Sequence, residues 1–415
     1  MRGKESSSFP LVGLAFLGFI LIGAMGGASG IVLPSQIAYY HVNTSTIGLL
    51  SFTFSTGYVL SAGSTGFFIQ KIGQHRYLTC GAAICVMSTF TFSLRPPFSL
   101  ALLTNLFLGF GTAVIDTGFN ALISSLPRRT KLLNYLHAFY GTGALLGPLV
   151  ASAFLSIHWE WNTVYLVWCG LSLLQLIGCI VLLRAQPFRA SVPQNEQYSS
   201  KNVLGAVLKI GPVWLAILFL FLYVGLETSV GNWSYSFLLT DRHQTILLAG
   251  WIVSGYWSGL TLGRFLVNTI AERFHLGIEA IVYYSLAGTG IGGLLVWLLP
   301  GGEAAMLGIC LIGFFLGPLF ASIIVVVPRL VPSNLVPSTI GLLLGTSVVG
   351  GAFFPWLVGT LAQYIGIWIL LPSVLVLTTL MCANWWTMIR RMRTQTHGHA
   401  DKTDREAPAS IEDLR

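Results

Sequence analysis

Twelve apolar runs, at 11–33, 46–69, 77–94, 99–124, 135–157, 161–183, 208–238, 246–270, 277–299, 304–327, 336–361 and 367–389, occupy most of this chain. Each is long enough to cross a hydrocarbon core of ~30 Å as a helix, which takes about 20 residues. Short connections separate them. Only 9% of the 415 residues are charged, against about 25% in a soluble domain, and the mean hydropathy is +0.76. No soluble fold of this length has an interior large enough for so much apolar surface. Lipid gives an unpaired backbone no hydrogen-bond partner, so the chain is expected to be an all-α membrane protein of twelve transmembrane helices.

Charge placement predicts how those helices are oriented. With a cytoplasmic N-terminus, all of the 22 Lys and Arg except Arg95, Arg242 and the intramembrane Arg264 fall on the cytoplasmic side. That bias predicts an even number of spans and both termini cytoplasmic; an integral multi-pass protein is expected, with the plasma membrane as its place. The formal charge of +8 therefore reads as membrane orientation, with lipid rather than nucleic acid as the partner. Arg184 to Asn202 is the longest hydrophilic interruption between spans. It divides the chain into a tail (1–10), a six-helix bundle (11–183), a cytoplasmic linker (184–207), a second six-helix bundle (208–389) and a disordered cytoplasmic tail (390–415). The six cysteines all lie in apolar segments and are expected as free, small hydrophobes.

A weak internal repeat supports the division. Thr56-Gly-Tyr-Val-Leu-Ser-Ala-Gly-Ser-Thr-Gly-Phe67 aligns without gaps on Ser254-Gly-Tyr-Trp-Ser-Gly-Leu-Thr-Leu-Gly-Arg-Phe265, with Gly57/Gly255, Tyr58/Tyr256 and Phe67/Phe265 identical. These stretches lie in the second span of each half. Two six-helix halves related by a parallel repeat form a transporter architecture that holds its solute between them.

Between the second and third spans, Gly66, Lys71, Gly73 and Arg76 are spaced within Gly66-Phe-Phe-Ile-Gln-Lys-Ile-Gly-Gln-His-Arg76. This spacing resembles the signature of the major facilitator superfamily, with Gln70 where that family usually has aspartate. Asp116-Thr-Gly-Phe-Asn120, Tyr223 to Tyr235 and Gly263-Arg-Phe265 resemble the fourth, seventh and eighth spans of its fucose permease-like group, which includes sodium-dependent glucose transporter-like members. The resemblance implies alternating access and a sugar-like solute. The group's sugar–proton members carry a carboxylate four residues before a proline in the first span. Here that position is Gly30, before Pro34, so a two-carboxylate proton mechanism does not carry over whole.

The intramembrane polar residues are the candidate machinery. A carboxylate near the bilayer centre costs ~2.5–3.5 kcal/mol on insertion scales, so Asp116 is expected to have a function. Thr112, Asp116, Asn120 and Ser124 recur every four residues and are expected on one stripe. Asp116 can exchange a proton, ligate sodium or hydrogen-bond solute hydroxyls. Glu227, with Tyr223 and Ser234 on one face and Asn232 and Trp233 following, suits a polyhydroxylated ring, and is a candidate second coupling acid. Arg264 needs a partner or a water-filled cavity and is expected to gate or to pair with a carboxylate. His137 is read as a structural, interfacial histidine and Pro148 as a hinge. Asn43-Thr-Ser45 is a glycosylation sequon close to the membrane. Gly288-Thr-Gly-Ile-Gly-Gly293 is read as helix packing, not as a dinucleotide fingerprint.

These residues lead to a secondary transporter, not an enzyme, working without a cofactor and with H+ or Na+ as coupling ion. Asp116, Asn120, Glu227, Asn232 and Trp233 are expected to contact ion or solute, and the protein to act as a monomer. Two rivals stand beside it: proton-driven efflux of a drug-like compound or secondary metabolite, and a non-transporting membrane receptor or sensor.

Overall fold

The computed structural model describes residues 9–184 and 205–406. Most of the first tail, residues 185–204 of the linker and the final residues 407–415 lie outside this description. Among the described residues twelve long helices follow one another: α1 (Phe9–Tyr40), α2 (Leu49–Ile72), α3 (Gln74–Ser93), α4 (Phe98–Ser124), α5 (Arg129–Ser156), α6 (Trp161–Arg184), α7 (Gly211–Thr240), α8 (Ile246–Arg273), α9 (Ile278–Leu298), α10 (Gly302–Leu330), α11 (Val336–Ile365) and α12 (Leu370–Glu406). Helix α10 is interrupted where Gly317-Pro318 separates Gly302–Leu316 from Leu319–Leu330. Ten of the twelve are long and apolar enough to cross a membrane by themselves; α2 and α3 are less apolar.

Several helices outrun their apolar cores. Helix α1 continues through Pro34 to Tyr40, where buried Gln36 donates from Nε2 to the Tyr165 hydroxyl of α6 at 3.2 Å. Helix α12 runs on to Glu406. The sequence places no proline between Pro372 and Pro408, and a polar run without proline can extend an existing helix once it is nucleated. Four helices stop at histidines rather than glycines: His41, His158, His243 and His275 have φ of 52°, 61°, 51° and 53°. Histidine is among the residues that tolerate this left-handed conformation.

Packing repeats between the halves. Helix α1 lies on α5, and α2 on α4; correspondingly α7 lies on α11, and α8 on α10. Close approach sets these pairs. A Cβ at Gly57 would strike the carbonyl oxygen of Leu106, and one at Gly109 that of Phe54, so α2 and α4 touch backbone to backbone. Gly263 and Gly313 are related in the same way to Phe314 and Tyr256 across α8 and α10. In lipid, where burial against another helix gains no hydrophobic free energy, such contact is what drives helix association.

The halves meet through α1 with α7, α2 with α11, and α5 with α8. We call the end bearing Gly73, Arg128 and Arg273 the basic end, and the opposite one the far end. Near the far end, Thr44 Oγ1 donates to the Gly359 carbonyl at 2.6 Å, Thr360 Oγ1 to Ser45 Oγ at 2.9 Å, and Trp356 packs on Phe52. Towards the basic end, a Cβ at Gly63 or Gly66 of α2, or at Gly341 or Gly345 of α11, would meet nothing within 4 Å. We take the space beside these glycines as the open end of a gap between the halves.

Candidate functional site

Asp116 sits on α4, half-buried, and turned inward. The Tyr58 hydroxyl of α2 donates to its Oδ2, and Asn120 Nδ2, one turn along α4, donates to its Oδ1 at 2.8 Å. His137 and Tyr140 of α5 lie within electrostatic reach of it. Both carboxylate oxygens thus have neutral donors, and among the described residues Asp116 has no ion pair. Beside it Thr117 joins a cluster of hydroxyls from three helices, with Thr65 Oγ1 2.8 Å from the Tyr77 hydroxyl and 3.0 Å from Thr117 Oγ1.

The expected four-residue stripe does not hold along its whole length. Thr112 is buried against Cys85 of α3, away from the gap. Four residues turn a helix by about 400°, so the stripe drifts about 40° per step. Asp116 and Asn120 still share a face, but Thr112 has rotated off it.

Across the gap, Glu227 of α7 is paired with Arg264 of α8, Oε1 to an Nη at 3.6 Å. Tyr223 is fully buried beside both, and Tyr256 donates its hydroxyl to the Glu227 carbonyl oxygen at 2.8 Å. Tyr140 reaches Glu227 and Arg264 electrostatically as well as Asp116, and His137 reaches Arg264. Charged groups of the two halves thus face a common space, with His137 exposed on its wall. This differs from the interfacial place expected for His137. Helix α5 starts at Arg129, six residues before the apolar run, which puts His137 two turns inside.

Two further residues expected to meet solute make contacts between helices. Trp233 is fully buried, and its indole Nε1 donates to the Pro355 carbonyl of α11 at 2.8 Å. It lies six residues beyond Glu227, a rotation of about 240°, so it points into the seam between α7 and α11. Asn232 accepts from the Ser29 hydroxyl of α1 at 2.9 Å and belongs to the far-end closure. Gly30 sits in that same closure, where a Cβ would come within 2.5 Å of the Gly231 carbonyl oxygen. The position at which the fucose permease-like group's sugar–proton members carry a carboxylate has no room here for a side chain.

The basic loop is tied down by a residue that sequence reasoning passed over. Gly73 takes φ 81° between α2 and α3, and the next residue, Gln74, is buried and donates from Nε2 to the Gly118 carbonyl of α4 at 2.9 Å. Gly66 is open to space, while Lys71 lies over the Phe67 ring and Arg76 is exposed. Neither basic residue has an ion pair among the described residues, as the glutamine at position 70 makes understandable.

The model of the Major Facilitator Superfamily matches residues 15–309. The chain belongs to that superfamily. Relatives run along most of its length: Bypass of stop codon protein 6 of Saccharomyces cerevisiae is 26% identical over 88% of this chain and 80% of its own. A glucose/galactose transporter of Brucella abortus is 23% identical over 88% of this chain and 90% of its own. The crystal structure of nucleoside transporter NupG superposes with a TM-score of 0.73 at 16% identity, covering 92% of this chain and 98% of that one. Membership and fold make this facilitator a multi-pass secondary transporter, not an enzyme.

Proposed function

We propose that this facilitator carries a sugar or a similar polyhydroxylated solute, coupled to a proton or sodium gradient through Asp116. The observation that carries the coupling is the difference between the two intramembrane acids. Glu227 has Arg264 as counter-ion. Asp116 has only neutral hydrogen-bond donors, and it faces the gap between the halves, so it is the acid free to take up and release a cation. The relative that moves glucose and galactose, together with a wall of tyrosines, histidine and amide, supports the sugar class. The charge bias supports a cytoplasmic basic end with both termini there, and on that reading this conformation is inward-open. A plasma-membrane monomer is the simplest form that completes the site.

Reconstituted proteoliposomes test the reading. D-Glucose, D-galactose and a set of amphipathic organic cations are offered under imposed proton or sodium gradients, to wild type and to Asp116→Asn. Sugar accumulation driven by one gradient, and lost in the variant, is the expected outcome. Selective movement of the amphipathic compounds would replace the reading with efflux. Binding without flux would point to a receptor.

A further inference from the structure

At the far end two adjoining depressions, open to the outside and of about 400 and 340 Å³, share Ser35, Leu155, Trp159 and Glu160. Their size is in the range of small-molecule sites. The walls come from both halves: α1 and the α5–α6 connection from the first, Tyr235 and Leu239 of α7 with Ile246 of α8 from the second. Deeper in, the Gly30–Gly231 contact and the bond from Ser254 Oγ to the Leu145 carbonyl (2.9 Å) close the halves together. The vestibule is thus separated from the gap that holds Asp116.

We propose that this vestibule is a second solute site, binding a neutral pyranose while the gap beneath it is closed at this end. The proposal rests on the sugar reading above. Trp159 is 51% exposed and stacks on Phe154, centroids 5.0 Å apart and planes at 12°, so a flat apolar face is held ready for a sugar ring. Glu160 supplies acceptors at its edge and is paired with Arg95 at 3.6 Å. That pairing balances the charge of Glu160, which favours a neutral ligand at this edge. Trp161, only 2% exposed, packs behind the same depression. Because both halves line the vestibule, a ligand there favours the state in which they are together. Sugar at this end then slows the return of the empty site to it.

Equilibrium binding of tritiated D-glucose and D-galactose to the full chain in nanodiscs tests this. Wild type is expected to bind two molecules per chain of whichever sugar it carries. Glu160→Gln keeps the size of the side chain but removes its charged acceptors, and is expected to weaken one of the two sites about five- to tenfold. Trp159→Ala removes the exposed platform and is expected to leave one site. Asp116→Asn is expected to keep the site that Trp159→Ala loses. One site in wild type, or two sites indifferent to both Trp159→Ala and Glu160→Gln, overturns the vestibule. If that result accompanies sugar flux in proteoliposomes, the sugar reading stands and the vestibule alone falls. Neither binding nor flux of either sugar overturns both.

Discussion

The Glu227–Arg264 pair makes a quantitative demand on the protein. Oxygen and nitrogen are 3.6 Å apart, with the glutamate side chain 14% exposed and the arginine 36%. At an effective dielectric of about 20, two unit charges at that separation attract by about 4–5 kcal/mol. Solvent at the arginine screens part of this. The coupling should therefore lie at about 1–3 kcal/mol, above the ~0.2–1 of exposed pairs and below the ~3–5 lost when a fully buried pair is broken. Glu227→Gln and Arg264→Met should each destabilise the protein by about this amount. The double variant should be more stable than the sum of the two predicts, because no uncompensated charge remains. Denaturant unfolding of the four proteins in mixed micelles, followed by circular dichroism, measures the cycle. Additivity within ~0.3–0.5 kcal/mol would refute the pairing. In flux, Glu227→Gln should keep its dependence on the ion gradient, since the carboxylate balances Arg264 rather than carrying the ion. Loss of that dependence in Glu227→Gln, with its retention in Asp116→Asn, would reverse the two roles.

Three further outcomes follow from the geometry. Asp116→Asn should abolish gradient-driven accumulation yet retain solute exchange at equal concentrations, read by counterflow, because asparagine can still accept from Tyr58; loss of exchange as well would make Asp116 a solute ligand. Ser45→Cys with Thr360→Cys, placed where the native hydroxyl oxygens are 2.9 Å apart, should stop flux on mild oxidation and recover with reductant, whereas flux undiminished by a proven cross-link would show that the far end need not open. Gly57→Ala puts a methyl group against the Leu106 carbonyl and should destabilise the protein by about 1–3 kcal/mol, seen as a lower thermal midpoint; an unchanged midpoint would mean that α2 and α4 can separate freely.

How much of this was legible in the sequence depended on which residues lipid penalises. A helix is the only single segment that satisfies its own backbone in hydrocarbon, so even α2 and α3, less apolar than the other ten, could be read from their length and place. Their polar residues are satisfied on neighbouring helices, as Thr65, Tyr77 and Thr117 show. Asp116, Glu227 and Arg264 stood out for the same reason, since a charge in lipid needs a cause. What local sequence did not carry was direction. Trp233 is six residues from Glu227 and yet faces the opposite seam, and His137 moved two turns inward because α5 began early. The repeat shows the limit most clearly. It pairs Tyr58 with Tyr256, but the first hydroxyl reaches the Asp116 carboxylate, while the second reaches only the Glu227 main chain. The same alignment sets Gly66 opposite Arg264. In the second half that position supplies the cation that neutralises an acid; in the first it is a glycine open to space. One substitution between repeats thus leaves Asp116 without a fixed counter-ion, and a mobile cation can take the place that Arg264 fills across the gap.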